Sequence, residues 1–394
     1  MVTQFPRKSR GKARFAAFAR SLAEILARCL AVPGQTPRWT IIANPQAGGF
    51  TIGGRWRWHE AALNAARERA RRNPLRDGAS PSRYALSLGV SPEDPVNQGL
   101  ILTAGPGNAA EITSALIGEC SQTLTEKAPP GGKPFYLIIT AGGDGTSLEV
   151  LQTLYAAPEE VRSRFAVLRL PLGTGNDGAD SPGLAGALDL LVLPSRLEKT
   201  RGIILKTASG KTRPGGGPFL AFNVLSLGLD AFVTHMTNKM KDRLPGDSYK
   251  LWVDIAALLY DRVYTVGPMG VLAYDENGKE VARLQEKILL CAMGISGRRT
   301  YGSQKKILPD DRNVCVVRQM SLFRKLAIKG LFTTGGHVRR PESVLTTAVK
   351  LRLSPENPIL AQMDGETTLL TREDFPLTLE LTSPVIQKLV PAGP

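Results

Sequence analysis

The chain is poor in the residues that build disulfide frameworks and histidine metal sites. Its 394 residues include only four cysteines, none in a CxxC pair, and three histidines. This scarcity argues against a zinc knuckle and a histidine-rich metal site, and it favours a reducing compartment such as the cytoplasm. No apolar run approaches the ~20 residues that a membrane-spanning helix needs.

Acidic residues are scarce relative to basic ones. Fifty Lys and Arg residues oppose 35 Asp and Glu residues, which gives a net charge of +15. Such a surplus attracts nucleic acid, nucleotide phosphates or an anionic membrane. Aromatic residues make up only 6% of the chain and do not interleave with a basic stretch, which weakens a nucleic-acid interpretation. We therefore expect no nucleic-acid partner, and we favour peripheral association with an anionic membrane.

Residues 1–38 form a basic amphipathic extension. Basic residues there face a single acid, Glu24, and apolar residues from Phe15 to Leu30 follow a helical stripe. Three interpretations are open: a helix lying on an anionic membrane, a helix packed on the body of the protein, or a frayed tail.

Two glycine loops each follow an apolar run that predicts a buried strand. Gly142–Thr146 follows residues 135–140, and Pro171–Asp177 follows residues 165–170. A strand, a glycine turn and a helix start together direct backbone N–H groups and a positive helix end at one place. Glycine also lets the backbone approach a bulky anion. Two such loops predict a nucleoside triphosphate site.

The length of the chain favours two domains. Strands that alternate with helices over residues 39–182 predict a parallel α/β sheet, with ligands at the carboxyl ends of its strands. Residues 183–371 predict a second domain that is mainly antiparallel, of the β-sandwich type. Residues 372–394 are candidates to return to the first domain.

Short strand-like runs separated by turns characterise this second domain. Its first predicted strand is Leu188–Leu193, and Thr207–Pro218 is predicted to be a long hairpin loop. Only Ser248–Tyr264 has the pattern of a substantial helix.

Six short motifs occur in order between Trp39 and Leu381. They are NPQAG at 44–48, TAGPGNA at 103–109, GGDGT with Glu149-Val150 at 142–150, PLGTGND at 171–177, NVLSLGLDA at 223–231 and DGE at 364–366. Together they resemble the diacylglycerol kinase catalytic family, which includes bacterial lipid kinases, sphingosine kinases and ceramide kinases. GGDGT also occurs in NAD kinases, so the ordered set carries the resemblance.

The resemblance implies a fold and an activity. The first domain would have a phosphofructokinase-like or NAD-kinase-like fold. The protein would be a kinase that uses ATP and Mg²⁺ to phosphorylate a lipid hydroxyl, on diacylglycerol or a sphingoid base, with the lipid head group received between the domains. Alternatives are a soluble kinase of the NAD-kinase type and a non-enzymatic nucleotide- or lipid-binding regulator. The oligomeric state is left open, with a homodimer as one alternative.

The resemblance also assigns roles to residues. Asp364 would be the general base, with Glu366 near the nucleotide or metal, and Asp144 and Asp230 would serve the metal. The nucleotide contacts would be Asn44, Thr103, Gly142, Gly143, Asp144, Gly145, Thr146, Gly173, Thr174 and Asn176.

Local interpretations compete with these roles. Asp144 could cap the following helix. Asp364 and Glu366 would face the same way on extended backbone, but Asp-Gly is also a common hairpin turn. Two departures stand out: Ala47 replaces the usual serine of the first motif, and a family segment near residues 305–313 is shortened, which puts a structural magnesium there in doubt.

Overall fold

The computed structural model describes residues 9–32, 34, 37–75, 80–81, 99–125, 133–173, 175–240, 260, 264–301 and 305–393. The chain divides into two compact units, the first comprising Met1–Thr200 with Val385–Pro394 and the second Arg201–Pro384. The sequence placed this division at residue 182. It lies later in the structure because strands 195–200 and 386–391 pair with each other in the first unit.

The first unit contains a seven-stranded sheet that is mostly parallel. Its order is β2-β1-β4-β5-β20-β6, with β3 also beside β1, and only the β20–β6 pair is antiparallel. The strands are β1 (Pro37–Ala43), β2 (Ser80–Pro81), β3 (Leu100–Leu102), β4 (Phe135–Gly142), β5 (Phe165–Pro171), β6 (Ser195–Thr200) and β20 (Ile386–Pro391).

Helices connect these strands, as the predicted α/β alternation requires. Every residue of β4 and β5 is buried, which is typical of parallel strands covered on both faces. The predicted α/β class is confirmed. The helices are α1 (Ser9–Leu26), α2 (Gly48–Thr51), α3 (Gly53–Ala70), α4 (Asn108–Thr125), α5 (Asp144–Ala156), α6 (Glu159–Arg162) and α7 (Leu184–Val192).

The apolar stripe of α1 packs on the body of the first unit. Phe15, Phe18 and Leu22 are at most 1% exposed, and the rings of Phe15 and Phe18 lie 4.4 Å and 5.2 Å from that of Phe50. Arg14 Nη1 also donates to the Phe50 carbonyl at 2.6 Å. Of the three interpretations of this extension, the structure shows the packed helix. The apolar stripe of α1 is therefore part of the hydrophobic core of the first unit.

The predicted strand Leu188–Leu193 is wrong, because these residues belong largely to helix α7. Six of the nine residues of α7 are buried, so the run is apolar on nearly every side. A short run of this kind does not distinguish a buried strand from a buried helix by periodicity.

The second unit contains an eleven-stranded antiparallel sheet. Its main path is β18-β17-β9-β11-β10-β16-β19-β7-β8, and β14 and β15 branch from β11; β12 and β13 form a separate pair. The strands are β7 (Ile203–Lys206), β8 (Phe219–Ala221), β9 (Val224–Gly228), β10 (Pro268–Tyr274), β11 (Glu280–Gly294), β12 (Arg299–Tyr301), β13 (Lys305–Leu308), β14 (Val314–Arg318), β15 (Ser343–Thr346), β16 (Lys350–Pro355), β17 (Ile359–Met363), β18 (Glu366–Leu370) and β19 (Leu377–Leu381).

The sheet of the second unit curls back on itself. β8 is the last strand of the path and β9 the third, yet only Phe222 and Asn223 connect them. The antiparallel, β-rich second domain is confirmed, as one curled sheet in place of two stacked ones. The predicted hairpin loop Thr207–Pro218 is also confirmed, since it joins the paired strands β7 and β8.

Helices add to this sheet at two places that the sequence interpretation missed. They are α8 (Leu229–Met240), then α9 (Leu322–Lys329) and α10 (Leu331–Thr334), with 3-10 turns at Gly336–Arg339 and Arg372–Asp374. The predicted helix Ser248–Tyr264 falls almost entirely outside the described residues. Within the described chain, no helix combines the length and apolar character of a bilayer span.

Candidate active site

Four neighbouring parallel strands of the first unit end at one edge. The Thr103 N–H donates to the Ala43 carbonyl at 2.9 Å, and the Asn44 N–H donates to the Ala141 carbonyl at 3.0 Å. The residues that follow β3, β1, β4 and β5 therefore lie side by side. They include the predicted nucleotide contacts Thr103 and Asn44 and the two glycine loops. Parallel pairing brings them together because all carboxyl ends meet at the same edge.

The two glycine loops are in direct contact. A Cβ added to Gly173 would lie 2.4 Å from Gly143 Cα, and one added to Gly142 would lie 2.7 Å from Thr146 Oγ1. Only glycine allows this approach without a shift of the backbone. Gly145 and Thr146 lie in the first turn of α5, whose N–H groups have no partner within the helix. Thr174 falls outside the described residues.

Asp144 joins the second glycine loop to the first. It is the first residue of α5, and the capping position belongs to Gly143, so the capping interpretation is wrong. Its Oδ1 accepts the Gly178 N–H at 3.0 Å, and the N–H groups of Asp177 and Asn176 also donate to it. Burial raises the pKa of this carboxyl, while those N–H groups and the charge of Arg169 oppose the rise.

Asn176 carries an acceptor without a partner. Its backbone is left-handed, with a φ of 59°, and its Nδ2 donates to the Gly173 carbonyl at 3.1 Å. Its Oδ1 is buried and has no hydrogen-bond partner among the described residues. A buried oxygen in this state is costly unless another donor completes it, so it fits a ligand with an N–H or O–H group. The Asn44 Oδ1, in contrast, accepts the Gln46 N–H at 2.9 Å.

A buried ion pair that sequence interpretation missed supports the second loop. Arg169 in β5 contacts Asp180 through its Nη2 at 2.7 Å, and the two side chains are 8% and 3% exposed. The Arg169 N–H also donates to Asp180 Oδ2 at 2.8 Å. The signal was an arginine inside an otherwise apolar strand, since such a charge is buried only when it is paired.

Glu149 supports the loop that follows β3. Its two carboxylate oxygens accept the N–H groups of Gly107 at 2.8 Å and Ala109 at 3.0 Å. These donors lie at the start of α4, where N–H groups lack helical partners. Glu149, which follows the GGDGT motif, therefore holds the start of α4 next to the loop that begins at Thr103.

Helix α3 adds basic groups beside the second loop. Arg55 Nη1 lies 3.5 Å from the Gly173 carbonyl oxygen. Burial, followed by the charge of Arg55, lowers the pKa of His59. Ala47, which replaces the usual serine, makes no side-chain capping bond to α2.

In the second unit, Asp364 and Gly365 form a hairpin turn. Their φ values are 46° and 103°, and Met363 pairs with Glu366 across the turn. The extended arrangement expected for Asp364 and Glu366 is therefore wrong, because two residues with positive φ make a tight turn between β17 and β18. Glu366 is exposed.

The Asp364 carboxylate points inward to the place where the sheet curls. It accepts the backbone N–H groups of Phe222, Asn223 at 3.0 Å and Val224 at 2.9 Å, and the residue is 8% exposed. Phe222 and Asn223 are the residues that link β8 to β9. Asp364 thus fixes this corner of the backbone.

Asp230 lies at the start of α8 in a polar network. Its Oδ2 accepts the Ser226 hydroxyl at 2.6 Å, and Gln362 Nε2 donates to Ser226 Oγ at 2.9 Å. Among the described residues, no three or more His, Cys, Asp and Glu side chains form a metal cluster. The metal role of Asp144 and Asp230 stays a prediction.

Helix α8 contacts the Asp364 turn directly. Asn238 Nδ2 donates to the Gly365 carbonyl at 2.9 Å, and His235 Nδ1 lies 3.2 Å from Thr367 Oγ1. Burial and the charge of Lys239 lower the pKa of His235. The structure therefore gathers the fifth and sixth motifs around one turn.

The acidic residues of the shortened segment are engaged by arginines. Asp310 pairs with Arg312 and Asp311 with Arg298. A side-chain hydrogen bond from Arg312 lowers the pKa of Asp310. Each of these two carboxylates therefore has an arginine partner.

Residues 38–205 match the family profile of the diacylglycerol kinase catalytic domain. Two solved structures from Bacillus anthracis str. Sterne, provisionally described as diacylglycerol kinases, are similar over 89% of this chain and 96% of theirs, at 16% identity and TM-scores of 0.50 and 0.51. At this identity the likeness shows the fold. No curated protein matches the chain.

Proposed function

We propose that the chain, whose residues 38–205 match the model of the diacylglycerol kinase catalytic domain family, is an ATP-dependent lipid kinase. The acceptor is a hydroxyl group of a membrane lipid, either diacylglycerol or a sphingoid base. The observation that carries the proposal is the gathering of four predicted nucleotide motifs at the ends of β3, β1, β4 and β5.

The residues at these strand ends fit the phosphates and polar groups of a nucleotide. The glycine loops present backbone N–H groups, and the start of α5 adds the positive end of a helix. Asn176 Oδ1 is a buried acceptor with no hydrogen-bond donor among the described residues. Thr103, Asn44, Thr146 and Thr174 complete the proposed contacts. Family kinases use ATP, and this chemistry suits it.

Asp144 is the proposed ligand of Mg²⁺. Mg²⁺ in kinases is typically held by one or two carboxylates together with substrate phosphates, and it neutralises the charge that develops during transfer. A carboxyl whose pKa is raised by burial gains most from a nearby cation, because the cation stabilises its ionised form. Asp230 is the second proposed carboxylate.

Asp364 and Glu366 are the proposed catalytic pair. In the reaction, the lipid hydroxyl oxygen forms a bond to the γ-phosphorus of ATP, the bond to the ADP oxygen breaks, and the hydroxyl proton passes to the base. We assign the base to Asp364, whose orientation three backbone N–H groups hold. Glu366 is assigned a place near the nucleotide or metal.

The test is phosphoryl transfer from γ-labelled ATP into micelles that present diacylglycerol, sphingosine, ceramide or monoacylglycerol, with NAD as a soluble acceptor. We expect label in one lipid class and none in NAD. Label in NAD alone would favour a soluble kinase, and ATP binding without transfer to any acceptor would favour the regulator.

Variants separate the two carboxylates. Glu366→Gln should lower kcat if the residue acts near the nucleotide or metal, with thermal unfolding unchanged because the side chain is exposed. Glu276→Gln, in an exposed turn, is the matched control and should keep full activity. Transfer that survives Asp364→Asn in folded protein would remove Asp364 as the base.

A further inference from the structure

Helix α9 exposes three large apolar side chains and buries a lysine. Phe323, Leu326 and Leu322 are 83%, 49% and 41% exposed, whereas Lys325 is 6% exposed. Ile328, at 3% exposed, is the apolar residue that the helix buries. Large apolar side chains grouped on one exposed turn mark a surface that meets something other than water.

This helix belongs to an insertion between two paired strands. β14 and β15 are antiparallel neighbours, and two to five residues suffice to join such a pair. Here residues 319–342 make the connection and form α9, α10 and a 3-10 turn. Nothing in the β14–β15 pairing requires a connection of this length.

The 319–342 segment is rigidly anchored at its base. The Arg318 N–H donates to the Glu342 carbonyl at 2.8 Å, and Arg324 Nη2 lies 3.2 Å from Glu342 Oε2. The rings of Phe332 and His337 stack at 4.2 Å, and His337 is completely buried. Because the base is fixed, the exposure of Phe323 is a property of the fold.

The segment is also strongly basic. It contains five Lys and Arg residues and a single acid, Glu342, and that acid is already paired with Arg324. Arg339 and Arg340 are exposed. Lys306, also exposed, lies beside the segment, since its Cβ is 3.7 Å from the position of a Cβ built on Gly335.

We propose that the 319–342 segment docks the protein on an anionic lipid bilayer. Phe323, Leu326 and Leu322 enter the interface between head groups and acyl chains, and Arg339, Arg340 and Lys306 contact lipid phosphates. Exposed apolar residues with flanking cations are the combination that binds such interfaces. The inference rests on the proposed function, because a kinase that acts on membrane lipids must reach the bilayer.

The test is flotation of the full-length protein with vesicles, in the absence of ATP. One set contains phosphatidylcholine alone, and the other contains equimolar phosphatidylcholine and phosphatidylglycerol. We expect binding to the anionic vesicles to exceed binding to the neutral ones. Phe323→Ser should weaken anionic binding by about tenfold or more, from the apolar area it removes. The double variant Arg339→Ala/Arg340→Ala should weaken binding and reduce its salt dependence.

Trp58→Ser is the matched control, because Trp58 is an 80% exposed aromatic residue of the first unit. It should leave vesicle binding unchanged. Thermal unfolding of the Phe323→Ser variant should match that of the unmodified protein, which separates lost docking from lost folding. Equal binding by Phe323→Ser and Trp58→Ser would overturn the proposal, as would equal binding to neutral and anionic vesicles.

Size-exclusion chromatography tests whether a second copy of the chain binds the exposed apolar surface in place of a bilayer. A dimer that Phe323→Ser dissociates, with vesicle binding intact, would make the surface an interface between copies and would overturn the docking.

The flotation result is independent of catalysis. If Phe323→Ser loses vesicle binding while no lipid is phosphorylated, the docking surface stands and the proposed function fails; the reverse pattern removes the surface and keeps the kinase.

Discussion

The two units use an aspartate carboxylate in the same way but for different reasons. Asp144 and Asp364 each accept backbone N–H groups from a distant part of the chain. In the first unit, parallel pairing already brings the strand ends together, and Asp144 only joins loops that are adjacent. In the second, antiparallel strands end alternately at opposite edges, so the corner at Phe222 and Asn223 depends on Asp364 itself. Hydrogen bonds from the backbone to an aspartate therefore reinforce loops that are already adjacent in the first unit, whereas in the second unit they are required to form the corner.

The largest effect on stability should come from the buried ion pair of the first unit. Asp180→Ala leaves the Arg169 guanidinium buried and unpaired, and we expect the free energy of unfolding to fall by about 3–5 kcal/mol. Denaturant unfolding measures the change. Glu198→Ala is the control, since its partner Arg196 and Glu198 are 58% and 44% exposed and such pairs contribute about 0–1 kcal/mol. Equal losses in the two variants would mean that Asp180 does not support the loop.

The second largest effect should come from the corner of the second unit. Asp364→Asn replaces a carboxylate by an amide whose NH₂ group cannot accept a backbone N–H. We expect a loss of about 2–3 kcal/mol, observed as a lower thermal midpoint. Asp275→Asn is the matched control, because Asp275 also accepts two backbone N–H groups but at an exposed turn, where the loss should stay below about 1 kcal/mol. A stable Asp364→Asn variant would contradict the comparison of the two sheets.

A smaller effect is expected where the two glycine loops touch. In Gly173→Ala the new methyl group meets Gly143 Cα at 2.4 Å, so the loops must move apart. Overpacking of this kind destabilises by about 1–3 kcal/mol, and we expect ATP affinity, measured with a fluorescent analogue, to fall further than stability does. Gly118→Ala, in α4 where an added Cβ has no neighbour within 4 Å, should leave ATP affinity unchanged. Full ATP affinity in Gly173→Ala would show that the loop contact does not shape the site.

The smallest effect is a pH dependence shared by both units. Burial lowers the pKa of His59, His235 and His337 from the ordinary value of 6.5. Their folded pKa lies below the unfolded one, so the unfolded state binds more protons as pH falls. Their contribution to stability is full above pH 6.5 and is lost as pH falls through the folded pKa values.

Thermal midpoints measured between about pH 8 and about pH 5 test this sign. Between the upper and the lower pH, the thermal midpoint of His337→Gln should fall by less than that of the unmodified protein, because His337 is completely buried. A midpoint that rises on acidification over this range would contradict the prediction.

Much of the first unit could be predicted from the sequence because its signals are local. The apolar runs of β4 and β5, each followed by a glycine turn, predicted both the strands and the edge at which the loops gather. The strand predicted at Leu188–Leu193 was wrong because a short run that is apolar on nearly every side does not distinguish a strand from a helix by periodicity. Arg169 was visible as an arginine in an apolar strand, but its partner Asp180 could be identified only in the folded loop.

The second unit was less predictable because its determinants are non-local. The Asp-Gly pair at 364–365 had two local interpretations, and the structure shows the turn. The contacts of Asp364 reach about 140 positions back along the chain to Phe222–Val224, which no local pattern records. The exposure of Phe323 likewise depends on which face of α9 is buried in the folded protein.

The sequence by itself determined the α/β class of the first unit, the β-rich class of the second and the order of the motifs, because strand runs, glycine turns and motif spacing are properties of adjacent residues. Tertiary structure alone decided that α1 packs its stripe on Phe50, that Asp364 turns inward, and that α9 buries a lysine and exposes a phenylalanine. Each of these depends on the free energy of packing residues that are far apart in the chain, and that free energy exists only once the chain has folded.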